Sequence, residues 1–136
     1  MLLLAVVSIV AIVCVGCAMR FGKHNGNKVS SAFPNVDVDE FQTMIADPTV
    51  QVLDVRTRDE YDEGHIARAI LVDVNESDFV ERALQVLDKQ RPVAVYCRSG
   101  RRSARAANLL IEQGYKVTNL TGGVMSWQDA GKALVQ

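Results

Sequence analysis

From Pro34 onward, short apolar runs of strand length take turns with segments whose apolar residues recur at helical spacing. That alternation narrows the choice of fold more than any other feature of the chain, because strands and helices that succeed each other bury their apolar faces on one another in layers. Asp37 and Glu40 stand at capping-box spacing, and Phe41, Met44 and Ile45 fall on one helical face, which predicts a helix to about Ala46, ahead of Pro48. Val50 to Val55 reads as a buried strand. Thr57 and Glu60 repeat the capping-box spacing and Gly64 ends a helix of about two turns.

The pattern then repeats. Ile70 to Val72 is a second strand, and Phe79, Ala83, Val86 and Leu87 share the face of a helix reaching Lys89. Pro92 precedes the strand Val93 to Tyr96. A polar loop follows at Cys97, then a helix starting near Ser103 with Ala106, Ala107, Leu110 and Ile111 on its apolar face and Gly114 at its end. Lys116 to Leu120 is the next strand, and Gly122-Gly123 turns the chain into a last amphipathic segment with Val124, Trp127 and Ala130. Strands and helices taking turns in this way predict an α/β domain with a mainly parallel sheet covered on both faces. Ligands of such sheets gather beyond the carboxyl ends of the strands, and Cys97 stands at one of those ends.

The 136 residues divide into three stretches: an apolar segment over 1–19, a linker over 20–33 rich in Gly, Asn, Ser and Lys, and one domain over 34–136. The apolar run has nearly the ~20 residues that cross a bilayer, and it equally fits the hydrophobic region of a signal peptide. Cys14-Val15-Gly16-Cys17 resembles a bacterial lipobox, which makes Cys17 a candidate for lipidation. The expected location is the cell envelope, with the domain anchored to the membrane and extracytoplasmic. Arg20, Lys23 and Lys28 after the run support the alternative, an inner-membrane anchor with a cytoplasmic domain. Cys14 and Cys17 lie inside the apolar run and are assigned no redox role. That leaves Cys97 as the one cysteine of the domain, so no disulfide framework is available. With 15 Lys and Arg against 16 Asp and Glu, the net charge of -1 gives no field that would recruit nucleic acid.

The chemistry centres on Cys97-Arg98-Ser99-Gly100-Arg101-Arg102. A free thiol has a pKa of about 8.5 and needs help to become the nucleophilic thiolate. Arg98, Arg101 and Arg102 bring permanent positive charge, and the following helix aims its free N–H groups at the loop. Gly100 allows the backbone to fold into an anion-binding nest. Three arginines in five positions make poor core material, so an anionic ligand is the economical explanation. Ser99 and Ser103 complete the candidate substrate-binding set. Taken alone, the nest also suits a loop that only binds phosphate.

Three stretches of the domain resemble the rhodanese family. Leu53-Asp54-Val55-Arg56, with Glu60-Tyr61 and Gly64-His65-Ile66, is similar to its first signature. Tyr96 to Ala104 resembles its active-site loop, and Gly114-Tyr115, Leu120-Thr121-Gly122-Gly123 and Trp127 its C-terminal signature. The chain departs from the pattern at Ala67 and Arg68, where many members carry Pro and Gly. The resemblance implies a rhodanese-like sheet of about five strands and a sulfurtransferase reaction that uses no metal or organic cofactor. It implies that Cys97 takes sulfur from a small anionic donor such as thiosulfate and passes it to cyanide or a thiol, with a protein donor or acceptor also compatible. Asp54 and Arg56 read as a structural pair, and His65 as a structural residue. Two other functions compete. Phosphatases and arsenate reductases also build a cysteine nest, but with arginine six positions after the cysteine, where this chain has Ser103. Non-catalytic relatives act as interaction modules and commonly lack the cysteine.

Overall fold

A computed structural model describes residues 31–136, beginning with the strand β1 (Asn35–Val36) and the helix α1 (Val38–Ile45). Four further strand and helix pairs follow: β2 (Gln51–Asp54) and α2 (Arg58–Glu63), β3 (Ile70–Leu71) and α3 (Phe79–Val86), β4 (Val93–Tyr96) and α4 (Arg101–Glu112), β5 (Val117–Leu120) and α5 (Gly123–Asp129). All strand pairs are parallel, in the order β1-β5-β4-β2-β3. This is the parallel α/β sheet expected from the alternation, with the five strands that the resemblance implies. β1 was not foreseen, because two residues are too few for any periodicity and their place comes from pairing with Asn119 and Leu120 at the sheet edge.

Side chains alternate across the sheet and divide the core in two. Leu53, Val93 and Val95 face Phe79 and Ala83 of α3 and Ala106, Ala107 and Leu110 of α4. Val52, Ala94 and Tyr96 face Phe41 and Ile45 of α1 and Val124 and Trp127 of α5. Each central strand is buried along its whole length, the polar Gln51 and Asp54 of β2 included. Phe33, at the end of the stretch assigned to the linker, is only 6 % exposed and packs in the first cluster. The apolar helix expected over residues 1–19, with Cys17, lies outside the described residues. Among the described residues no helix is long and apolar enough to cross a membrane.

Local signals in the sequence are realised in detail. Asp37 accepts from the Glu40 N–H, and Thr57 with Glu60 forms a complete capping box. Arg68 has φ of 67°, a left-handed conformation that side chains with a Cβ seldom take. It occupies the position where many members of the resembled family carry Gly. One boundary differs from expectation: α4 starts at Arg101 rather than near Ser103, because Gly100 takes φ of 103° and turns the chain into the helix at once. Arg101 and Arg102 are therefore first-turn helical residues and not loop residues.

Candidate active site

β2 and β4 lie side by side in register, Asp54 beside Tyr96, so the segments that leave them start from one place. Beneath that place is a buried polar knot. Arg56 donates from Nε and Nη2 to the Asp54 carboxylate, at 3.0 and 2.6 Å, and from Nη2 to the Gly64 carbonyl. The Tyr96 hydroxyl donates to Asp54 Oδ2 at 2.7 Å and accepts from the Ile66 N–H. Asp54 is fully buried and Arg56 nearly so. Burial, and then the Asp54 charge, push the Tyr96 phenol far above its ordinary pKa, so it acts only as a neutral donor. The knot ties both strand ends to the turn after α2, and Tyr96 hands the chain directly to Cys97.

The Cys97 side chain is 1 % exposed, with its sulfur at the centre of the loop. The Gly100 N–H donates to it at 3.1 Å and the Ser103 hydroxyl at 3.3 Å. Burial raises the pKa of the thiol, but hydrogen bonds from the Ser103 hydroxyl, the Ser103 and Gly100 N–H groups and the Ser99 N–H outweigh it and hold the thiol below its ordinary value. The helix-start argument therefore applies through neutral donors. The arginines, which the sequence suggests alongside the helix start and Gly100, are not among these leading contributions, although the charges of Arg102 and Cys97 do act on each other.

The reason is visible in the arginines themselves. Arg102 is joined to Glu60 in a two-pronged pair, Nη1 to Oε2 at 2.8 Å and Nη2 to Oε1 at 2.7 Å. Glu60 Oε2 also accepts from the Thr57 N–H, and the pair and the cap together hold the Glu60 carboxyl at a pKa of about 2. Arg98 and Arg101 are exposed, and neither guanidinium has a hydrogen-bond or ion-pair partner among the described residues. His65 stacks on the Tyr61 ring at 3.7 Å, its Nδ1 lies 3.0 Å from the Tyr61 carbonyl, and its backbone pairs with Val135. Its polar contacts do not include the thiol.

The start of α5 closes the loop from the other side. The N–H groups of Val124 and Met125 donate to the Cys97 and Arg98 carbonyls at 2.8 and 3.1 Å. With those carbonyls engaged, the loop N–H groups are left to face the sulfur. This approach is why Gly123 must be glycine: a Cβ there would lie 2.5 Å from the Arg98 carbonyl oxygen and closer still to that of Cys97. Sequence reasoning placed Gly122-Gly123 in a turn and missed this contact, and it missed Glu60 as the partner of Arg102.

Two clefts flank the loop. One, of about 360 Å³, is lined by Arg56, Glu60, Glu63, Arg98, Val124 and Met125 among others. The second, of about 410 Å³, is lined by Ser99, Arg101, Arg102 and Arg105. The arrangement can activate a sulfur nucleophile at the floor and hold anions at the rim.

Residues 37–130 match the rhodanese-like domain. YrkF of Bacillus subtilis is 30 % identical over 111 residues, an alignment covering 80 % of this chain and only 58 % of YrkF. The thiosulfate sulfurtransferase GlpE of Coxiella burnetii is 40 % identical over 81 residues, covering 58 % of this chain and 72 % of GlpE. Among solved structures, the crystal structure of a rhodanese-related protein from Thermoplasma volcanium superimposes with a TM-score of 0.67 at 28 % identity, over 76 % of this chain and 98 % of that one.

Proposed function

Because this chain belongs to the rhodanese-like domain family, we propose that it is a sulfurtransferase that carries sulfur on Cys97 from a small anionic donor such as thiosulfate to cyanide or a thiol. The observation that carries the reading is the buried Cys97 sulfur, held below its ordinary pKa by Ser103, Gly100 and Ser99. In the first half-reaction the Cys97 thiolate attacks the outer sulfur of thiosulfate. The sulfur–sulfur bond of the donor breaks, its electron pair leaves with sulfite, and Cys97 is left as a persulfide anion. In the second, cyanide attacks the outer sulfur, thiocyanate departs, and the electron pair returns to the Cys97 thiolate. The same donors that stabilise the thiolate before attack receive it again as the leaving group, which suits covalent catalysis in two steps.

Relatives named as sulfurtransferases, GlpE among them, support the same reading. The position six residues after Cys97 favours sulfur over phosphate or arsenate. It holds Ser103, whose hydroxyl serves the sulfur, while the nearby Arg102 is engaged by Glu60. Phosphoryl transfer relies on fixed cations that neutralise charge on the equatorial oxygens, and no guanidinium occupies that place. A non-catalytic module would have no use for a thiol held so.

The test is thiocyanate formation from thiosulfate and cyanide, with persulfide detected by intact mass after thiosulfate alone. Cys97→Ser abolishes both on this reading; turnover of an aryl phosphate without thiocyanate formation refutes it. We also propose, on the apolar run alone, that residues 1–19 hold the domain to the cell envelope. The intact mass of protein from membranes carries a diacylglyceryl group on Cys17 if the lipobox operates, and an unmodified full-length chain if the run is an anchor.

A further inference from the structure

The turn after α2 is bonded on two sides. Toward the interior, the Gly64 carbonyl accepts from Arg56 Nη2 at 2.8 Å and the Ile66 N–H donates to the Tyr96 hydroxyl at 3.0 Å, so both residues belong to the buried knot. His65 between them faces the other way. Its N–H donates to the Val135 carbonyl at 2.9 Å, and its own carbonyl accepts from the Val135 N–H at 2.8 Å. In extended backbone the polar groups of one residue point to one side and those of its neighbours to the other, which lets one short strip serve the knot and Val135 together.

Val135 lies in a segment over 131–136 that is also tied to α5. Trp127 Nε1 donates to the Ala133 carbonyl at 3.0 Å, and the Trp127 carbonyl accepts from the Lys132 N–H at 3.1 Å. α5 is the helix whose first N–H groups bond the Cys97 and Arg98 carbonyls. The segment thereby joins the two supports of the Cys97 loop and closes a ring: Cys97, α5, Ala133, Val135, His65, the knot, and Tyr96, which leads back to Cys97. Apolar burial does not explain Val135 at this place. Its neighbour Leu134 packs against the second core cluster, but Val135 is 42 % exposed and belongs to neither cluster. What it supplies is backbone pairing.

We propose that Val135 is a positioning residue for sulfur transfer on Cys97, its pairing with His65 holding the knot and α5 at the spacing in which the Gly100 and Ser103 donors meet the sulfur. The proposal rests on the sulfurtransferase reading for the reaction it serves. Without the pairing, the turn keeps its bonds to Arg56 and Tyr96 but loses its tie to α5, so the Cys97 loop, strung between the two, samples a wider range of positions. Hydrogen bonds weaken steeply as their angles depart from linearity, and donors that wander favour the thiolate less.

The test compares Val135→Pro, which removes the N–H that bonds the His65 carbonyl, with Val135→Ala, which keeps both backbone bonds and trims an exposed side chain. The readout is the pH profile of iodoacetamide alkylation of the full chain, followed at Cys97 by peptide mass, beside urea unfolding. Tyr115→Phe is the stability control, since it removes a hydrogen bond to the Leu87 carbonyl at the opposite end of the sheet from the thiol. Arg102, whose charge interacts with that of Cys97, is untouched in each variant. Val135→Pro shifts the profile to higher pH and slows both alkylation and persulfide formation at neutral pH about threefold, within the factor that one backbone hydrogen bond can transmit. Val135→Ala and Tyr115→Phe keep the wild-type profile. If Val135→Pro fails to fold, a chain ending at Ala133, which retains the Trp127 contact and lacks the pairing, shows the same shift. A Val135→Pro protein that loses stability as Tyr115→Phe does but alkylates as wild type overturns the proposal, and so does a Val135→Ala profile displaced as far as that of Val135→Pro. Absence of persulfide in the wild-type chain would instead overturn the sulfurtransferase reading, because alkylation needs no sulfur donor.

Discussion

Ser103→Ala isolates the source of the thiolate. The Ser103 hydroxyl lies 3.3 Å from Cys97 Sγ, on a residue with no solvent exposure, and it heads the contributions that lower the thiol pKa. A hydrogen bond to a charged group is worth about 1.5–3 kcal/mol. The N–H groups of Ser103, Gly100 and Ser99 remain in the variant, so the lower end applies, and about 1.4 kcal/mol is a factor of ten in the thiolate population. Losing a donor that favours the charged form raises the thiol pKa, so the fraction of thiolate at neutral pH falls. The expected result is an alkylation rate by iodoacetamide about tenfold lower at neutral pH, converging with wild type in alkali, and a similar slowing of persulfide formation from thiosulfate. The fold tolerates the change at a cost of about 1 kcal/mol, checked by urea unfolding, since the partner left behind is a sulfur that the Gly100 N–H still serves. An alkylation profile that does not move refutes the assignment. So does Arg101→Ala, if it shifts the profile as far as Ser103→Ala does, because the thiolate would then depend on guanidinium charge.

Two other perturbations follow from the frame around the loop. Glu60→Gln removes the charge that holds Arg102 and weakens the cap on α2, for a loss of about 2 kcal/mol at neutral pH by urea unfolding. Because the Glu60 pKa is depressed in the folded state to about 2, its contribution is complete above the ordinary carboxylate range and disappears as pH falls through about 2, so the two unfolding curves approach each other in acid; a gap independent of pH refutes the ion-pair account. Gly123→Ala, at φ of 59°, drives a Cβ into the Cys97 and Arg98 carbonyls, and the expected result is a folded protein with at least a hundredfold slower persulfide formation, on the order of the 3 kcal/mol that one misplaced oxyanion donor costs. Near wild-type rates in a folded Gly123→Ala protein would show that the α5 contact does not shape the nest.

Elements were legible where the information is local. The capping box of α2, the apolar run of β4, and the end of α4 before Gly114 each follow from residues a few positions apart. β1 was not legible, since Asn35 and Val36 become a strand only by pairing with β5. The start of α4 was misplaced for a related reason. Arginines near a helix N-terminus oppose the dipole and argue for a later start, but Gly100 fixes the turn and Glu60, 42 residues away from Arg102 in sequence, neutralises one of them.

The same long-range pairing reorders the roles within the loop. From sequence, charge density made Arg98, Arg101 and Arg102 the natural activators of Cys97, and Ser103 one more polar residue of the set. Folding turns Arg102 toward Glu60 and leaves Arg98 and Arg101 exposed, while Ser103, one residue further along the helix, is carried to the inside and onto the sulfur. On a helix, neighbours in sequence point about 100° apart, so Arg102 and Ser103 necessarily serve different surroundings. The neutral donors of Ser103 and Gly100 are thereby the groups bonded to the sulfur, while the charge of Arg102, which Glu60 holds in place, acts on Cys97 with no hydrogen bond to it.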